Sequence, residues 1–94
     1  RLEIRIPGAD ANPYLAMAAI IGLGMYGVTN KLKLTIPEGP TNDSRIPRNL
    51  YDATVNMSRK ESIGRKIFGD GFIDHFTATR FHEWKQWETS VTIN

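Results

Sequence analysis

The sequence predicts an α+β chain in which one short N-terminal strand precedes a mainly helical remainder, and three observations carry that prediction. Residues 1–6, Arg-Leu-Glu-Ile-Arg-Ile, alternate charged and apolar side chains with a period of two, the pattern of a half-buried strand. Asn12-Pro13 opens a stretch from Tyr14 to Tyr26 that contains no charged residue. A proline in a first helical turn gives up only an N–H that has no intrahelical partner, so this reads as a helix start. Beyond Asn49, apolar residues recur at near-helical spacing as far as Trp87.

On the predicted strand, Leu2, Ile4 and Ile6 share one face and Arg1, Glu3 and Arg5 the other. Pro7-Gly8 ends it, and Asp10 or Asn12 caps the following helix. A helix without charge on any side is expected to be buried all round. A chain of 94 residues buries only about 60–65% of its unfolded surface. The helix is therefore expected to sit among other parts of a larger protein. Gly22, Gly24 and Gly27 within and after it are read as close-packing and helix-ending positions.

Lys31-Leu-Lys-Leu-Thr-Ile36 predicts a short edge strand, and Pro37 to Ser44 a turn-rich loop. Leu50, Ala53 and Met57 mark the next helix. Ser58-Arg-Lys-Glu61 has the spacing of a capping box opening another, with Ile63, Ile67 and Phe68 inside and Gly69 as its stop. A last helix is expected from about Asp70 to Thr89, with Phe72, Ile73, Phe76, Trp84 and Trp87 near helical spacing.

Composition bounds the function. Hydrophobic residues at 40% and charged residues at 23% describe an ordinary globular chain. Twelve Lys and Arg against ten Asp and Glu leave +2, too little and too dispersed for a nucleic-acid footprint. The basic residues at 45–48 and 59–66 are assigned to solvated helix surfaces. Without cysteine there is neither a disulfide nor a thiolate metal site, and cytoplasm is the default compartment. The uncharged stretch from Ala11 to Asn30 is interrupted by glycine, proline and asparagine and falls short of a membrane span. No signal peptide is legible. The missing initiator Met and the start within a strand pattern predict a fragment or processed chain.

Arg1, Glu3 and Arg5 are the first candidates for chemistry. Alternate residues on a strand stand about 6.5–7 Å apart and point the same way, so one carboxylate lies between two guanidinium groups. Such a carboxylate stays ionised and can share a divalent cation with other carboxylates, while the arginines grip phosphate or carboxylate oxygens bidentately. The plain alternative is a solvent-facing charge ladder, and exposed charge pairs are individually weak. Gly22-Leu-Gly-Met-Tyr-Gly27 is a rival signal, a literal dinucleotide fingerprint that would make the segment part of an oxidoreductase. That fingerprint needs a helix of several turns after its glycines, whereas Val28-Thr29-Asn30 leads here into an alternating segment. His75 and His82, seven apart, stand about 10 Å apart along one helix and cannot share an ion. Trp84 and Trp87 read as core or interface anchors.

Arg1-Leu-Glu-Ile-Arg5, then Pro7-Gly8 and Ala11-Asn-Pro-Tyr-Leu-Ala16, resembles the R-x-E-x-R strand and A-N-P-Y-L-A helix start of glutamine synthetases in both order and spacing. Arg48-Asn-Leu-Tyr-Asp52 resembles the segment carrying the adenylylated tyrosine of bacterial type I enzymes, which makes Tyr51 a possible modification site. Phe68-Gly-Asp-Gly-Phe72 and the Trp-bearing helix resemble the closing helices of the family. The resemblance spans essentially residues 1–94 and implies the C-terminal portion of a glutamine-synthetase-type catalytic domain, with the remaining catalytic residues upstream.

The resemblance further implies that Arg1 contacts nucleotide phosphates, Glu3 binds a divalent metal, Mg2+ or Mn2+, and Arg5 holds the substrate carboxylate or the moving phosphoryl group. The implied reaction phosphorylates the γ-carboxylate of glutamate from ATP, after which ammonia or an amine displaces phosphate. The implied partners are glutamate, ATP, the amine, the rest of the catalytic domain and homo-oligomeric rings. A γ-glutamyl-polyamine or other γ-glutamyl-amide ligase, and an inactive protein of the same fold, stay open beside glutamine synthetase itself. The intact Arg-Glu-Arg set leans against the inactive option.

Overall fold

The computed structural model describes residues 1–34 and 46–92, in two compact units, Arg1–Lys33 and Leu34–Asn94. Four helices occur among the described residues: α1 (Pro13–Thr29), α2 (Leu50–Ser58), α3 (Ile63–Phe68) and α4 (Asp70–Thr92).

In the first unit, residues 1–6 form no strand, which corrects the expected β element. Alternation provides a sheet face, but a strand also needs a neighbour to complete its ladder of hydrogen bonds, and no other strand occurs among the described residues. The apolar side chains of Leu2, Ile4 and Ile6 are accordingly exposed. A turn follows, closed by the Ala11 N–H donating to the Gly8 carbonyl at 3.1 Å. Asn12 then caps α1 as expected: its Oδ1 accepts from the N–H groups of Tyr14 at 2.9 Å and Leu15 at 3.3 Å, with Pro13 in the first turn.

α1 runs without interruption through Gly22, Gly24 and Gly27. The glycines do not end the helix, and among the described residues a Cβ at Gly24 or Gly27 would meet no heavy atom within 4 Å. The end comes at Asn30, where the Lys31 N–H donates to Val28 O at 3.2 Å and the Leu32 N–H to Gly27 O at 3.0 Å. This pair of bonds is a Schellman closure with Lys31 in the left-handed region at φ 51°. The expected edge strand is therefore corrected at its first residue: Lys31 is spent on the helix end, and Leu32 to Leu34 form no strand. Thr35 and Ile36 of that expectation, and the loop Pro37–Ser44, lie outside the described residues. No residue of α1 is buried, and Tyr14, Met17, Ile21, Leu23, Met25 and Val28 are exposed. All-round burial of α1 is thus not seen among the described residues.

In the second unit, Asn49 caps α2 through its Oδ1, which accepts the Asp52 N–H at 2.8 Å. Asp52 itself adds favourable charge to that first turn. The expected capping box at Ser58 is displaced by four residues. Ser58 is still helical, its hydroxyl donating back to Val55 O at 2.8 Å. The cap of α3 is Ser62, whose Oγ accepts the Arg65 N–H at 3.4 Å and donates to Met57 O at 2.7 Å, tying the new helix to the end of the old one. Gly69 stops α3 as expected, at φ 85° and ψ 158°, with its N–H on Arg65 O at 2.8 Å.

α4 packs against both α2 and α3. Ile73 is fully buried, and the threonines Thr54 and Thr77 are buried as well. The two hydroxyls are satisfied within their own helices, Thr54 donating to Leu50 O at 2.6 Å and Thr77 to Ile73 O at 2.7 Å. An aromatic ladder runs from the end of α3 into α4, with centroid separations of 5.2 Å for Phe68–Phe72 and 5.5 Å for Phe72–Phe76. Arg80 continues it, its guanidinium 5.0 Å from the Phe76 centroid.

Candidate functional site

The N-terminal residues bring the three predicted charges together even without a sheet. The Arg5 Nε donates to Glu3 Oε1 at 2.8 Å, and Arg1 Nη2 stands 3.9 Å from Glu3 Oε2. The alternation explains this arrangement, since side chains two apart along an extended chain fall on one side. One carboxylate oxygen is engaged in a charge-assisted hydrogen bond, whereas the other meets its partner beyond hydrogen-bond length. Both guanidinium groups remain almost fully open, and the Glu3 side chain is 53% exposed.

A carboxylate oxygen of this kind is a hard ligand of the type that Mg2+ and Mn2+ take, and the loosely held Oε2 leaves room for one. Among the described residues no group of three or more His, Asp or Glu could hold a metal ion. Glu3 is therefore a lone candidate ligand among the described residues. The arginines present planar forks suited to phosphate or carboxylate oxygens.

Tyr51 lies at a helix start, in the first turn of α2, and is 45% exposed. Its ring packs edge-on to Phe81 at 5.7 Å and tilted on Trp84 at 6.0 Å, which anchors α2 to α4. A depression of about 400 Å³ on α2 is lined by Arg48, Asp52, Val55, Asn56 and Arg59 among others, and not by Tyr51. His75 and His82 are both exposed on α4. Trp84 is half-buried, but Trp87 is 56% exposed and lies tilted against Trp84 at 4.9 Å, so among the described residues it is no core anchor.

The dinucleotide reading does not survive the fold. Its glycines must form the turn between a strand and a helix, and here they lie inside α1.

Arg65 was hidden in the sequence among basic residues assigned to surface. Its side chain is only 15% exposed. Nε donates to the carbonyls of Ser58 at 3.2 Å and Arg59 at 3.0 Å, Nη2 to Ser58 O at 2.7 Å, and the fork pairs with Asp70 at 3.1 Å and Asp74 at 2.8 Å. It thereby joins the C-terminal end of α2 to the first turns of α4. Hydrogen bonding to Asp74, then to Asp70, raises its pKa above the ordinary guanidinium value. For a raised cationic group the stabilisation is complete below the unfolded value and is lost only as pH climbs through the folded one. The clamp therefore adds no pH dependence of its own near neutrality.

The family model described as glutamine synthetase, catalytic domain, matches residues 1–94. A type-1 glutamine synthetase 2 from Dictyostelium discoideum is 38% identical over 97% of this chain and 19% of its own length. A glutamate–isopropylamine ligase from a Pseudomonas species is 36% identical over 92% of the chain and 20% of its own length. A glutamate–methylamine ligase from Methyloversatilis universalis is 34% identical over 98% of the chain and 23% of its own length. No solved structure matches. The chain spans about a fifth of the length of the curated relatives it matches. Matched along its whole length to that catalytic domain, the chain belongs to the glutamine synthetase family.

Proposed function

We propose that this chain is the C-terminal portion of the catalytic domain of an ATP-dependent ligase that amidates the γ-carboxylate of glutamate. The observation that carries the proposal is the Arg1–Glu3–Arg5 cluster, with one carboxylate between two open guanidinium groups, in a chain of this family. Transfer of the γ-phosphoryl group of ATP to glutamate gives γ-glutamyl phosphate and ADP. Ammonia or an amine then attacks the acyl carbon, the C–O bond to phosphate breaks, and the nitrogen loses a proton.

Charge on the phosphoryl oxygens is the obstacle in such a reaction, and preorganised cations lower it. Arg1 holds nucleotide phosphates through its fork. Arg5 holds the glutamate carboxylate or the moving phosphoryl group. Glu3 contributes an oxygen ligand to Mg2+ or Mn2+, which, when bound, neutralises phosphate charge. Cytoplasmic placement and homo-oligomeric rings belong to the same proposal, as does the burial of the uncharged α1 by the rest of the catalytic domain. The dinucleotide-binding alternative is dropped.

The amine is open between two readings, because relatives named for isopropylamine and methylamine stand at 36% and 34% identity, beside 38% and 30% for two named glutamine synthetases. A γ-glutamyl-amide ligase is thus supported on the same footing as a glutamine synthetase. The test is glutamate-dependent ADP release by the full-length protein with ammonia, methylamine, isopropylamine, ethanolamine or a polyamine as acceptor. One acceptor should raise the rate at least tenfold over the rest. Absence of ADP release with every acceptor would leave the inactive-homologue reading.

A further inference from the structure

The described arginines of the second unit divide by partner. Arg65 pairs with Asp70 and Asp74, and Arg80 with Glu83. Arg48 and Arg59 form no ion pair among the described residues, and both line the depression of about 400 Å³ on α2. Asp52, Val55, Asn56 and Arg59 stand at i, i+3, i+4 and i+7 of α2 and so share one face. Arg48 joins them from just before the Asn49 cap. The two cations therefore bracket α2, at the ends of about 13 Å of helix. Between them the lining holds apolar Ile46 and half-buried Val55. It also holds the Asp52 carboxylate and the Asn56 amide, neither of which makes a side-chain hydrogen bond among the described residues.

We propose that this face of α2 docks an extended peptide segment of a partner protein, one that carries acid, apolar and acid side chains at alternate positions, as in Glu-x-Leu-x-Glu. In an extended peptide the residues i, i+2 and i+4 point to one side, and the outer two stand about 13 Å apart. That span matches the arginine bracket. Each acid meets a guanidinium fork, which takes a carboxylate through charge-assisted hydrogen bonds. The apolar side chain rests on Ile46 and Val55, and the Asn56 amide, both donor and acceptor, serves the peptide backbone.

Asp52 sets the selectivity. With no cation on it, its carboxylate repels an acid at the middle position, so the groove favours the pattern over the largest negative charge. A small anion is a poorer match, because cations at opposite ends of the helix do not converge on one phosphate. The charged lining residues are also exposed, whereas small ligands are held in enclosing pockets. Docking of acidic motifs on arginines is a recurrent mode of peptide recognition. The proposal does not depend on the ligase reading.

The test is fluorescence anisotropy of dye-labelled, end-blocked peptides titrated with the full-length protein. Glu-Ala-Leu-Ala-Glu should bind saturably, and about fivefold or more tighter than Glu-Ala-Glu-Ala-Glu, which has more charge but meets Asp52. Moving the acids together, in Glu-Glu-Leu-Ala-Ala, should weaken binding to a similar degree. Arg48→Gln and Arg59→Gln should each weaken the first peptide about two- to fivefold. Lys85→Gln, which removes a cation of α4 that does not line the depression, should leave it unchanged. Asp52→Asn should tighten Glu-Ala-Glu-Ala-Glu selectively, a gain that a damaged fold does not produce. Affinity that follows net peptide charge whatever the spacing, or that falls as much in Lys85→Gln as in the arginine variants, overturns the groove in favour of unspecific attraction. Absence of saturable binding by Glu-Ala-Leu-Ala-Glu overturns it outright.

Discussion

Two glycines five residues apart in the second unit should respond to alanine with opposite signs. Gly69 ends α3 at φ 85° and ψ 158°, a region open essentially to glycine alone, where other residues carry strain of about 1–3 kcal/mol. A Cβ at Gly69 meets no heavy atom within 4 Å, so Gly69→Ala adds conformational strain and no clash. Alanine also restricts the unfolded chain, which returns about 0.4–1 kcal/mol, and the net loss is about 1–2 kcal/mol. Gly64, in the first turn of α3, is different. A Cβ there stands 3.4 Å from Ile73 Cδ1 and 3.7 Å from Met57 Cγ, which is ordinary contact. Gly64→Ala should therefore gain about 0.5–1 kcal/mol from helix propensity. The assay is folding of the 94-residue chain driven by trimethylamine N-oxide, an osmolyte that strengthens burial, followed by helical circular dichroism. At fixed osmolyte, Gly69→Ala should lower the folding constant about fivefold to thirtyfold, and Gly64→Ala should raise it. A neutral or stabilising Gly69→Ala would refute the assigned backbone, and a strongly destabilising Gly64→Ala would refute the packing.

Without osmolyte, the isolated chain should show no cooperative thermal transition and no ATP turnover, since no residue of α1 is buried and Ile73 is the one fully buried large side chain among the described residues; a sharp transition in the monomer would contradict this. Ile73→Ala should cost about 2–4 kcal/mol in the osmolyte assay. Thr77→Val should stay within about 0.5 kcal/mol, because its hydroxyl serves only carbonyls of its own helix and isosteric removal leaves no polar group stranded. If full-length Tyr51 accepts a nucleotidyl group in its half-exposed position, Tyr51→Phe should abolish that labelling; labelling that persists in the variant places the modification elsewhere.

Helix ends were legible where a side chain closes the backbone locally. Asn12-Pro13 and Gly69 act within three or four residues, so their roles follow from spacing. The expected cap was Ser58, whereas α3 is capped by Ser62, which also reaches the Met57 carbonyl, a bond that exists only once α2 has turned into α3. The alternation of residues 1–6 foretold which charges meet, but not a sheet, since a strand's partner lies elsewhere in sequence. Lys31 looked like strand because alternation begins there, yet a non-glycine residue in the left-handed region is a local decision of the helix end. Arg65 was illegible among its basic neighbours. Its acceptors, two carbonyls and two carboxylates, are gathered by the packing of three helices. The buried threonines were missed for a related reason, since a hydroxyl that bonds back to its own helix buries as easily as an apolar group.

The central claim is that Glu3 and Arg5 act on different charges of one ligase reaction, and the most direct measurement is steady-state kinetics of the full-length protein with Mg2+ and glutamate each varied. Glu3→Ala should lower activity and raise the metal concentration needed for half-maximal rate. Arg5→Ala should lower turnover and glutamate affinity, by about two to three decades in rate if it contacts the moving phosphoryl group, while its metal requirement stays the same or falls a few-fold. Near-normal ATP-dependent ligase rates in both variants would contradict the claim and reduce the Arg1–Glu3–Arg5 cluster to a solvated charge ladder.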